Sequence, residues 1–149
     1  MAEQSLRERI IEYVIGEIEE LDCFNTVQRT LPAYTELGNF PQDSFPVAAV
    51  VAGLPQQVDT HVSRRACVDV FRSALGITVF VWDHLNEECD TRISFLADEL
   101  WAKLYSDQTK GGLAIGTALT FGEIPTYLKP YINFSLTATV TYTHTTGGI

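Results

Sequence analysis

Basic residues are scarce in this chain: ten Lys and Arg stand against nineteen Asp and Glu, leaving a formal net charge of −9. Proteins that hold nucleic acid by neutralising its phosphates need clustered cations, so specific nucleic-acid binding is not expected. Cysteine is scarce too. Cys23, Cys67 and Cys89 are odd in number, and no two stand at the short spacing that closes thiolates around zinc. They read as reduced, partly buried thiols. Long hydrophobic runs are missing: the longest, residues 45–54, is broken by Pro46 and Gly53 and is about half of the ~20 residues a spanning helix needs. No membrane partner is expected. Residues 1–8 lack the basic-then-apolar order of a secretory signal, which gives the expectation of a protein made in the cytosol. Glycine-rich phosphate motifs and a G-x-S-x-G nucleophile turn are also absent, and with them the sequence support for a nucleotide cradle or a serine hydrolase.

What is present is a composition suited to folding. Hydrophobic residues make up 46% and charged residues 19% of the 149 positions, and a chain of this length buries roughly 70% of its unfolded surface around one core. Residues 1–149 therefore read as one domain. Ser5 and Glu8 have the spacing of a capping box, the Ser side chain accepting from the Glu8 N–H and the Glu reaching back. From there Leu6, Ile10, Val14, Ile18 and Leu21 recur at helical spacing, with Ile11 and Ile15 widening the stripe.

Residues 24–29 form a short strand candidate, and residues 31–44, with Pro32, Gly38 and Pro41, read as a long loop. Residues 45–52 read as a buried, Val-rich strand that Pro46 confines to a strand start or an edge; residues 53–62 read as a second loop. Two separate strands are expected at 67–72 and 75–82, the latter apolar on both faces. A second helix is expected from about Asp90, a good N-cap, with Ile93, Leu96, Leu100, Trp101 and Leu104 on its apolar face. After the Lys110-Gly111-Gly112 turn come a strand at 113–121 and an extended connector at 122–130. The clearest signal follows: Ile132, Phe134, Leu136, Ala138, Val140 and Tyr142 alternate with Asn133, Ser135, Thr137, Thr139 and Thr141, a two-faced antiparallel strand. The order implies an α+β fold, an antiparallel or mixed sheet flanked by two main helices.

Candidate chemistry is sparse. Asp83, His84, Glu87, Glu88 and Asp90 include metal-ligand types, yet acidic residues at a helix start also answer the positive end of its dipole. His61 and His144 stand apart, and Ser73 and Ser135 have no base in their sequence context. Neither a catalytic residue, nor a cofactor site, nor a metal site is assigned. Phe80, Trp82, Trp101 and Phe134 could line a ligand pocket or be plain core. Arg64-Arg65, the one adjacent basic pair, is either solvated or an intersubunit contact; the Thr face of the last strand either meets water or edges a neighbouring subunit.

In layout the chain resembles the tail-terminator, or tail-completion, proteins of tailed bacteriophages. The likeness is carried by the opening helix from Ser5 to Leu21, the run Phe24-Asn25-Thr26-Val27-Gln28-Arg29, the Pro-led strand Phe45-Pro46-Val47-Ala48-Ala49-Val50-Val51, the strand from Gly76 to Trp82, the helix after Asp90 and the closing alternating strand. The resemblance implies a structural virion protein without enzymatic activity, assembled in the host cytoplasm as a ring, usually of six copies. Such a ring caps the tail tube protein, ends tail polymerisation, lets DNA pass and offers a surface to the neck or head-completion protein. In such a ring, loop length and charge, not a family motif, put the expected intersubunit contacts in residues 31–44, 53–62 and 122–130 and at Arg64 and Arg65, with Tyr34, Phe40 and Tyr127 among them. A neck or head-completion protein would share these features, and a small enzyme or ligand-binding domain using the aromatic residues is the alternative of another class.

Overall fold

The structure, a computed structural model, describes residues 5–32, 34–62, 67–82, 86–128 and 131–146. Helix α1 (Leu6–Glu19) starts where the cap predicts, Ser5 Oγ accepting from the Glu8 N–H at 3.1 Å. The other half of the capping box is replaced. Arg29 takes the Glu8 carboxylate with both terminal nitrogens, tying α1 to the end of strand β1 (Thr26–Gln28). Ile10, Ile11, Val14 and Ile18 are buried, as the stripe requires; each contributes roughly 1.5–3 kcal/mol relative to an exposed side chain.

Among the described residues, one sheet joins β1 to β2 (Val47–Ala52), β3 (Gln56–Val62), β4 (Cys67–Trp82), β5 (Gly116–Phe121), β6 (Thr126–Leu128) and β7 (Tyr131–Thr146), in the order β1-β2-β4-β7-β5 with β3 on β4 and β6 on β7. Strand β2 (Val47–Ala52) lies between β1, its one parallel neighbour, and β4 (Cys67–Trp82). The cis Phe45-Pro46 bond precedes β2, so the proline stands at a strand start in the interior of the sheet. Strand β7 (Tyr131–Thr146) pairs with β4 along all sixteen residues of both, and on its other side with β5 (Gly116–Phe121) and β6 (Thr126–Leu128). Helix α3 (Asn86–Ser106) joins α1 on one face of the sheet, where both pack on Leu75, Ile77, Val79 and Val81 of β4 and on the even-numbered residues 132–142 of β7.

Several expectations are corrected. Residues 53–62 are not a loop: Gln56–Val62 form β3, which continues along β4 from where β2 leaves it, so β2 and β3 are nearly collinear. The two strands expected at 67–72 and 75–82 are one, because Ser73 stays buried in register and its hydroxyl donates to the Gly53 carbonyl at 3.0 Å. Helix α3 opens at Asn86, four residues before Asp90, which is an exposed residue inside it. The segment 31–44 contains a helical turn, α2 (Tyr34–Leu37), and a 3-10 turn at Gln42–Ser44, and the 122–130 connector carries β6.

Candidate interaction surfaces

The most densely bonded polar group joins α1 to the turn after α3. Tyr13 donates to Asp107 at 2.5 Å, and Asp107 also accepts from the Gly111 N–H and the Thr109 hydroxyl. Beside it the Lys110 ammonium, fully buried, donates to the Leu104 carbonyl at 2.8 Å and stands 3.0 Å from Glu17 Oε1. The hydrogen bond to Asp107 and then burial push the Tyr13 phenol up to about 12, and the same bond holds Asp107 below the usual carboxylate range. Burial pushes the Glu17 carboxyl up, against the opposing pull of Lys110. Lys110, Gly111 and Gly112 all have positive φ. A side chain at Gly111 would place its Cβ 2.8 Å from the Tyr13 ring, so the turn needs glycine there for room as well as for conformation. Two helices and a turn are locked together here, and the cluster reads as a clasp.

The second feature is the β5 side of the sheet. Strand β5 pairs with β7 alone among the described residues, and Gly116–Phe121 holds no charged residue. An edge without charge, proline or bulge is open to another strand or surface. Apolar side chains flank it: Ile115, Phe121 and Ile124 are exposed, and Trp101 of α3 stacks between Phe121 at 5.1 Å and the exposed Tyr105 at 6.5 Å.

The third lies across the molecule, where α1 begins above the junction of β2 and β3. Arg7 donates to the Ala52 and Gly53 carbonyls, holding the helix start against that junction. A cavity of about 340 Å³ opens there, lined by Ser5, Leu6, Arg7, Pro55, Phe71 and Tyr142. Phe71 and Tyr142 stack with centroids 5.9 Å apart as its floor, and the Tyr142 phenol is pushed up by burial. Leu54, 81% exposed, stands at the same junction. The charge layout of α1 is unusual: Arg7 and Arg9 are near its N-terminus, Glu19 and Glu20 at its C-terminus, and its last turn holds no basic residue. Glu8, in the first turn, suits the helix dipole, whereas Glu19 and Glu20 oppose it at the other end. Within the chain, Lys103 answers Glu20 at 2.6 Å.

The residues singled out in the sequence are not brought to one place. Arg64 and Arg65 lie outside the described residues, between β3 and the start of β4. Tyr34 opens α2 and Tyr127 pairs with Ile132 through the β6 backbone, but the structure does not describe their side chains. Phe40, half-buried, packs edge-on against Phe45 at 6.2 Å in a small cluster with Leu37, Phe80, Trp82 and Tyr131. Phe80 and Trp82 belong to that cluster while Trp101 and Phe134 belong to the main core on the other face, so these four aromatics line no common pocket. Asp83 and His84 lie outside the described residues; among those described, no group of three or more metal-ligating side chains is found. The pocket at the start of α1 and the β5 edge were missed by sequence reasoning. The signal available for the edge was the absence of charge from 111 to 122.

No protein-family model matches the chain, and no curated protein matches it in sequence.

Proposed function

We propose that the protein is a structural component of a tailed-phage virion that caps the tail tube as a ring, ends tail polymerisation and presents a surface to the neck. The likeness of sequence layout supplies the identity of the assembly. Self-association rests on one observation above the others: the β5 edge, uncharged and unpaired among the described residues, with Ile115, Phe121 and Ile124 exposed beside it. Edges of this kind are covered in finished assemblies, and copies that join by one repeated contact close into a ring when the rotation closes. The net charge of −9 suits a channel that DNA traverses, since like charge keeps the passing strand from adhering.

Light scattering over a concentration series, with negative-stain images of the same sample, tests the reading. The expected particle is several-fold heavier than the 16.6 kDa chain, has a central hole and binds the ends of tail tubes. A monomer at every concentration that also ignores tail tubes overturns it.

A further inference from the structure

We infer that neighbouring copies meet head to tail, the Ile124 side of one chain seating in the pocket at the start of α1 in the next. This rests on the ring reading and names the two surfaces that make the contact. They are different patches of the sheet: Ile124 sits between β5 and β6 on the outer flank of β7, while the pocket lies over the paired Phe71 of β4 and Tyr142 of β7 and reaches the β2–β3 junction at Pro55. Two different patches define a heterologous contact, which propagates around a ring, whereas a two-fold contact would use the same patch on both copies.

The chemistry of the two sides matches. Leu6, Pro55, Phe71 and Tyr142 offer an apolar concavity of about 340 Å³, and Ile124, 78% exposed, is a branched aliphatic of a size to enter it. The charges beside them are opposite. Glu123, exposed, precedes Ile124, and Arg9, exposed, stands three residues beyond Leu6 and four beyond Ser5, so it flanks the pocket on the same side of α1. The carboxylate of Glu123 arriving from the next copy would meet the opposite charge of Arg9 at the rim of the pocket. Ile124 alone is too small for a stable contact, which buries roughly 800 Å² on each partner. The stacked Trp101, Tyr105 and Phe121 extend the surface on one side and Leu54 extends it on the other.

Complementation between two broken copies tests the inference. Ile124→Glu removes the protruding side chain and leaves the pocket intact; Pro55→Arg obstructs the pocket and leaves Ile124 intact. Leu54→Glu, at a position 81% exposed, serves as a second pocket-side variant. Circular dichroism melts matching the wild type establish that each variant is folded. Each variant by itself is expected at the 16.6 kDa monomer mass by light scattering, and an equimolar mixture at twice that mass and no more, because the pair retains one good contact. Folded variants that still form the wild-type particle, or a mixture that stays monomeric, overturn this interface while leaving the ring reading in place. A wild-type chain that is monomeric throughout and does not bind tail tubes overturns both.

Discussion

The two faces of the sheet are made from the same strands and serve opposite ends. On one face β4 presents Leu75, Ile77, Val79 and Val81 and β7 presents Ile132 to Tyr142 at alternate positions, all buried beneath α1 and α3. On the other, Ala74, Ser135 and Thr137 are exposed, and cover is given at one end by the Phe45 cluster with Phe80, Trp82 and Tyr131. Strand pairing is equally complete on both, since the backbone ladder is common to them. The larger core therefore lies on the side of the helices, and the second face buries a smaller cluster at one end. Burial, not hydrogen bonding, separates the faces energetically.

Changes that tax the covered face should cost the most. Lys110→Met leaves the Glu17 carboxylate buried without its cation and is expected to destabilise by about 3–5 kcal/mol in urea unfolding. Because burial already raises Glu17, the loss grows as pH rises through the carboxyl's folded value and shrinks in acid. Combining it with Glu17→Leu should restore most of the stability, as removing both members of a buried pair is often neutral; a double variant as weak as the single one would show that the clasp is not acting as a pair. Leu136→Ala comes next, at about 2–5 kcal/mol for a cavity in the core. Gly111→Ala follows with about 1–2 kcal/mol from its left-handed backbone, increased by the approach to the Tyr13 ring.

The pH profile of the melting temperature gives a subtler contrast. Asp107 is held low, so its contribution is present above the ordinary carboxylate range and lost as pH falls through its folded value. Tyr13 is raised from 10.0 to about 12, so its contribution is intact below pH 10 and lost between those values. Tyr13→Phe should flatten both limbs; a profile identical to that of the wild type would remove the clasp as their source. The smallest effect belongs to the open face, where Thr137→Ala is expected within about 0.5 kcal/mol of the wild type. A large loss there would mean that something covers that face in the folded monomer.

What could be read from the sequence follows the same division. The α+β class, the positions of α1 and β7, and the burial of β2 were legible because each carries a continuous apolar period. Strand β3 was not: Gln56-Gln57-Val58-Asp59-Thr60-His61-Val62 holds few apolar residues, and its pairing is dictated by β4, which lies elsewhere in the chain. The continuity of β4 was hidden by Ser73, a polar residue at a core position whose partner, the Gly53 carbonyl, only the fold supplies. The start of α3 was misplaced because Asp90 is a strong capping residue by type, whereas the helix already runs from Asn86 and holds Asp90 within it. The pocket could not be read at all, since its lining comes from four segments far apart in sequence.

The pairing of β4 with β7 also has a mechanical side. Sixteen antiparallel residue pairs run without a register break, a span of roughly 50 Å at the rise of an extended strand. A load applied along these strands in opposite directions acts on the rungs in shear, so many must yield together. A load applied across one end opens them one after another. Tension carried along the strand axis would thus meet the protein in its stiffest direction, and its resistance would depend on how that axis is set against the pull.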